Sequence, residues 1–204
     1  MGIRVVNIKK TIRIIIFIIL SIISAVALIF GGQELFYRIK APSEYMITTK
    51  NEIQKQYRYE CGAYSTAYVL RSLGEDVDSK EFYDSREPKG KDGSVPYEAM
   101  QTGAERYGYK LESGMISLAA LKYEVSKGVP VIVGIEIAPG NSLPHFLPIV
   151  GYDDEYIYAA ESVGIYANEK GDHYNRKINI DTFKKLWKTD DHNHNLAIRI
   201  VRNR

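Results

Sequence analysis

Cys61 is the only cysteine in the chain. It cannot form an intramolecular disulfide, so any chemistry it has is that of a thiol. It stands where a short polar run meets a helical pattern, in Tyr59-Glu60-Cys61-Gly62-Ala63-Tyr64-Ser65-Thr66-Ala67. At such a place unpaired N–H groups and the positive end of the helix dipole favour thiolate over thiol. His145 opens an apolar run further on, and Glu161 follows it at the start of the next turn. Nucleophile, base and acid in that order are what a thiol hydrolase needs. The competing reading makes Cys61 a small buried apolar residue, the commonest fate of a free cysteine. The choice between the two depends on whether the fold carries the three groups to one place.

The helix after Cys61 is expected to run to Leu73 and stop at Gly74. Asp78, with Glu81 three residues on, reads as a capped helix start. Ser94 is expected to cap a helix through Tyr107, with Pro96 in its first turn and Gly108 past its end. Ser117 starts another short helix, Leu118 to Lys127, closed by Gly128. Beyond Gly128 the period changes. Val129–Ile137 is β-branched and apolar, as a buried strand should be. Phe146–Tyr152 and Glu155–Ala160 follow as strands joined by an Asp153-Asp154 turn. Lys177–Ile180 and Leu196–Val201 supply two more, around a short helix from Asp181 to Trp187. Helices first and antiparallel strands after argue an α+β domain with segregated layers. That order sets a thiol at a helix N-terminus against a histidine at the start of a sheet strand, which favours the chemical reading of Cys61.

Ile14–Phe30 carries no charge, and with Gly31 and Gly32 it reaches the length a helix needs to cross a bilayer core. Arg4, Lys9, Lys10 and Arg13 precede it, which predicts a cytoplasmic N-terminus and the remainder outside. Residues 1–13 are then the cytoplasmic end, 14–32 a transmembrane anchor, 33–50 a tether and 51–204 the folded domain. A cleaved signal peptide is the rival reading of 14–32, although the run is long for one and its exit lacks a clear small-x-small site. Phe36 and Tyr37 are expected at the far membrane interface.

The segments around the three chemical residues resemble a known group. Cys61-Gly62-Ala63-Tyr64-Ser65 is similar to the Cys-Gly-Pro-x-Ser start of the bacteriocin-processing (double-glycine leader) cysteine peptidases and their stand-alone relatives. Gly128-Val129-Pro130-Val131-Ile132-Val133 resembles the strand before their histidine. His145-Phe146-Leu147-Pro148-Ile149-Val150-Gly151-Tyr152-Asp153 resembles their His-(apolar run)-Gly-Tyr-Asp segment. Phe183 and Trp187 match the aromatic pair before the last strand. The resemblance covers about residues 45 to 202. It implies a papain-like cysteine peptidase fold, N-terminal helices packed on an antiparallel sheet, preceded here by one transmembrane helix. It makes Cys61 the nucleophile, His145 the base and Glu161 the residue that orients His145, where such families usually have Asp or Asn. It also implies an oxyanion-hole glutamine a few residues before the cysteine. Lys55 holds the commonest spacing, so Gln56, or failing it Gln54, takes that role.

The implied activity is a membrane-anchored, extracytoplasmic thiol hydrolase acting on a peptide or protein substrate through a Cys61 thioacyl intermediate. Two alternatives stay open: a catalytically degenerate peptide-binding module, and a cell-wall peptide amidase or transpeptidase. No cofactor is expected. The formal net charge of +2, without a basic tail, gives no reason to expect nucleic acid. There is no G-x-x-x-x-G-K-[ST] phosphate loop, so this sequence is not expected to be an exporter ATPase. His192 and His194 in Asp190-Asp191-His192-Asn193-His194 match no compact zinc site, so no metal is expected. Glu60 reads as a surface residue. Oligomeric state is not legible.

Overall fold

The computed structural model describes residues 8–171, 173–189 and 194–203. Helix α1, Ile8–Lys40, is a single unbroken element. It is long and apolar enough to cross a membrane, and none of its most apolar window is covered by the rest of the chain. The expected tether is therefore half helical. Glu34 and Arg38 pair across one turn at 2.9 Å, and Phe36 and Tyr37, expected at the far interface, pack on Tyr123 with ring centroids 5.6 and 5.5 Å away. The folded domain also begins earlier than residue 51. Strand β1, Tyr45–Met46, joins the sheet, and Ile47 is part of the core.

Helices α2 (Cys61–Ser72), α3 (Ser79–Asp84) and α4 (Tyr97–Glu105) come next. Gly74 has φ +95°, so it ends α2 where an L side chain would be strained. Asp78 Oδ1 accepts from Glu81 N at 2.9 Å, as the capping pattern requires. Helix α4 starts later than expected. Pro96 is its cap residue, and Ser94 lies in the preceding loop, where its N–H donates to Asp92 Oδ1.

Strand β2, Tyr109–Met115, precedes α5 (Leu118–Val125) and had no clear signal in sequence. Strands β3 (Val131–Ala138), β4 (Asn141–Tyr152), β5 (Tyr156–Ala159) and β6 (Arg176–Asn179), helix α6 (Ile180–Trp187) and strand β7 (Leu196–Arg202) complete the domain. The strands form one antiparallel sheet in the order β2-β7-β3-β4-β5-β6, with β1 added beside β4.

Both faces of this sheet are covered. Val131, Val133 and Ile135 of β3 enter a core with Leu121 of α5 and Phe183, Leu186 and Trp187 of α6. Ile132 and Ile198 enter a second core with Ala63, Ala67, Leu70 and Met100 of α2 and α4. Burial on two sides explains why β3 reads as a continuous apolar run rather than an alternation. The helices are therefore not confined to one layer: α2–α4 pack on one face, α5 and α6 on the other.

Candidate active site

Cys61 is the first residue of α2 and is half-buried. Its neighbour Gly62 explains the tight seating of the helix end. A Cβ on Gly62 would lie 2.7 Å from Val95 O, closer than real side chains come to a backbone oxygen, and a tight 3.1 Å from Met100 Sδ. The glycine lets the N-terminus of α2 press onto the 95–96 segment, which forms one wall of the cleft holding Cys61. One turn along, Ser65 Oγ donates to Phe146 O at 3.0 Å. That bond ties the nucleophile helix to β4, one residue from His145.

His145 lies on β4 opposite Ile135 of β3 and is buried, as is Glu161 just after β5. His145 Nε2 sits 3.0 and 3.2 Å from the two carboxylate oxygens of Glu161. This commits Nε2 to the carboxylate and leaves Nδ1 for Cys61, which lines the same cleft. Burial alone would lower the imidazole pKa. The hydrogen bonds to Cys61 and Glu161 and the charge of Glu161 outweigh it and push His145 up to about 9. Burial likewise works to raise Glu161, but the hydrogen bond and charge of His145, the charge of Arg176 and the Val163 N–H hold it below the ordinary carboxylate range.

The longer side chain of Glu161 is accommodated by groups that had no signal in sequence. Arg176 Nη1 donates to Glu161 Oε2 at 2.7 Å, and its Nη2 donates to Ile137 O at 2.6 Å. Val163 N–H donates to Glu161 Oε1 at 2.7 Å. Asn175 holds the backbone of Glu161 from both sides, accepting from its N–H at 2.6 Å and donating to its carbonyl at 2.8 Å. The carboxylate is thus gripped between an imidazole and a guanidinium.

Gln56 and Gln54 part company. Gln56 runs beside the Glu161 segment: its N–H donates to Ser162 O at 3.0 Å, its Oε1 accepts from Ser162 Oγ at 2.6 Å, and its Nε2 donates to Arg58 O. Gln54 faces away, toward the start of α3, where Oε1 accepts from Ser79 N at 2.7 Å and Nε2 donates to Asp78 at 3.1 Å. Glu60 is buried rather than on the surface. It folds back to accept from Tyr57 N–H at 2.7 Å and so closes the turn that leads into α2. Among the described residues no group of three His, Cys, Asp or Glu could hold a metal ion. His192 lies outside the described residues, and His194 Nδ1 is 3.2 Å from Thr189 O.

A half-buried thiol, a buried imidazole and a buried carboxylate in line are what nucleophilic acyl transfer requires. The model of the Peptidase_C39 like family matches residues 46–193, from β1 through the segment after α6. The chain belongs to that family. Among solved structures, a C39-like peptidase from Bacillus anthracis is similar at 17% identity and a TM-score of 0.61, covering 79% of this chain and 99% of that one. A double glycine motif protease from an AMS/PCAT transporter, solved with its leader peptide, is similar at 19% identity and 0.54, covering 78% and 98%. A cysteine protease from Carica candamarcensis solved with E-64 gives 13% identity and 0.56, covering 80% and 100%. These likenesses show a shared papain-like cysteine peptidase fold. No curated protein matches the sequence.

Proposed function

We propose that this C39-like chain is an active cysteine peptidase, anchored in the cell membrane by α1 with its domain outside. The observation that carries the enzymatic reading is a half-buried Cys61 sharing a cleft with His145, whose Nε2 is held 3.0 Å from the buried Glu161 carboxylate. In this reading Cys61 Sγ attacks the peptide carbonyl carbon, and the oxygen takes up the displaced π electrons. The oxyanion is met by the N–H of Cys61 at the helix start and by the Gln56 amide, whose Nε2 must first leave Arg58 O. Collapse breaks the C–N bond as His145 gives its proton to the leaving amine, leaving a thioester on Cys61. Water then gives a proton to His145 as its oxygen adds to the thioester carbon, and breaking the C–S bond releases the acid and restores the thiolate–imidazolium pair. Glu161 stays ionised throughout and orients the ring.

Turnover of a fluorogenic peptide library tests this assignment. Cys61→Ala should abolish cleavage, and Gln56→Ala should lower kcat by about 10²–10³, the usual effect of losing one oxyanion donor. Gln54→Ala should leave kcat near wild type and lower stability by about 1 kcal/mol through its lost bonds to α3. A large kcat loss at Gln54 with none at Gln56 would reverse the oxyanion assignment. Absence of any Cys61-dependent cleavage would leave a peptide-binding module.

The membrane placement rests on the apolar stretch of α1, uncovered by the domain, and on the basic residues before it. Membranes washed with alkaline carbonate should retain the protein, and protease added to intact protoplasts should digest the domain. A released form with a new N-terminus near Gln33 would mean that the segment is a cleaved signal.

A further inference from the structure

The cleft shared by Cys61 and His145 has a volume of about 510 Å³, within the range of sites that enclose large side chains or ligands and far beyond what two glycines would fill. Its walls are largely apolar, from Val95, Pro96, Ile135, Pro144 and Phe146, and they carry one carboxylate, Glu136. The sheet register explains its position. Glu136 on β3 lies opposite Pro144 on β4, beside the Ile135–His145 pair, and it lines the same cleft as the base.

Glu136 differs from three other glutamates on or beside the sheet. Glu112 and Glu124 pair with Arg199, and Glu161 pairs with Arg176. Glu136 is half-buried, and its side chain makes no hydrogen bond or ion pair with any described residue. A cation entering the cleft would meet this carboxylate against an apolar wall, where a charge-assisted hydrogen bond is stronger than a neutral one. Lysine and arginine suit such a wall, since their methylene stems lie along apolar surface while the head group meets the charge.

We propose that Glu136 sets the specificity of this cleft, receiving the Lys or Arg side chain of a peptide substrate at a residue flanking the scissile bond. The proposal rests on the peptidase reading for the reaction, though not for the binding. Norleucine, which shares the stem of lysine and lacks the charge, isolates the contribution of Glu136.

The test uses the full chain in detergent micelles and paired peptidyl vinyl sulfones, with lysine or norleucine at each of the residues on the acyl side, and follows Cys61 labelling by intact-protein mass. At one position the lysine probe should react about tenfold faster or more, as expected for a partly desolvated charge pair. Glu136→Gln should bring the ratio of the two rates close to one, high salt should reduce it, and Glu136→Lys should favour glutamate at that position. The ratio does not depend on how much of a variant is folded, because both probes meet the same sample. A ratio near one at every position in the wild type overturns the proposal. So does a ratio that survives in Glu136→Gln, or the failure of both probes where iodoacetamide labels Cys61. Failure of the peptidase reading looks different: no turnover, and iodoacetamide labelling indifferent to His145. In that case equilibrium binding of fluorescent lysine and norleucine peptides to the Cys61→Ala chain reads the same preference, and equal affinities overturn it.

Discussion

Replacing His145 with alanine should slow alkylation of Cys61 by iodoacetamide about tenfold at pH 6–7. At pH 6.5 an ordinary thiol is only about 1% thiolate. A cation held against the sulfur raises that share, and the weaker nucleophilicity of a less basic thiolate takes back part of the gain. His145 can act as this cation because its pKa is pushed up to about 9. The sign of the pH dependence follows. The wild-type advantage should be present below neutrality and disappear as pH rises through about 9, where His145 loses its charge and thiols ionise unaided. Rates for wild type and variant from pH 5 to 10, read by mass spectrometry, check both parts. Equal rates at pH 6.5 would return Cys61 to the class of inert thiols.

The same sequence that placed this pair was mute about what holds it. Cys61 and Glu161 were legible because each stands at an element boundary, a helix start and the exit from a strand, and His145 because it opens the buried apolar part of β4, although that strand begins four residues earlier, at Asn141. Local pattern marks such boundaries well. Gly74, Asp78 and Ser117 were legible for the same reason, since caps act within four residues of themselves. Ser65 bonds to a carbonyl 81 positions away, and Arg176 meets Glu161 only because β5 and β6 pair across a loop. Such partners are fixed by topology, and no local pattern carries them. Strand β2 was missed because only Tyr109 and Leu111 of its side chains are buried, with polar or small residues between and after them and an exposed Met115 at its end; it is a strand because β7 pairs along its whole length. Glu60 was misplaced because a glutamate before a helix is usually solvated. Here the preceding turn brings the Tyr57 N–H to it.

Arg176→Met should lower stability by about 3–5 kcal/mol, the usual effect of breaking one side of a buried ion pair. The methionine fills much of the volume but leaves the Glu161 carboxylate, fully buried, with one cationic partner fewer, and it strands Ile137 O, which accepts from the same guanidinium. Arg176→Lys should recover only part of the loss, because an ammonium reaching Glu161 cannot also present a second planar donor to Ile137 O. The pH dependence separates charge from packing. Glu161 is depressed in the folded state, so its contribution is in place above the unfolded value of about 4.5 and is lost as pH falls through the lower folded value. His145 is raised, so its contribution is complete below about 6.5 and is lost as pH climbs through about 9. The wild type should therefore be most stable between those two limits. The deficit of Arg176→Met should shrink on acidification, as Glu161 takes up a proton and no longer needs a cation. Urea unfolding at several pH values checks this, and the Glu161→Gln background supplies the control. There, with the charge already gone, the further loss of Arg176 should be well below the single-variant effect, giving a coupling of 1 kcal/mol or more, in the range of about 0.5–3 kcal/mol found for residues in contact. Additive losses would mean that Arg176 acts through packing and the Ile137 carbonyl rather than by positioning Glu161 for His145.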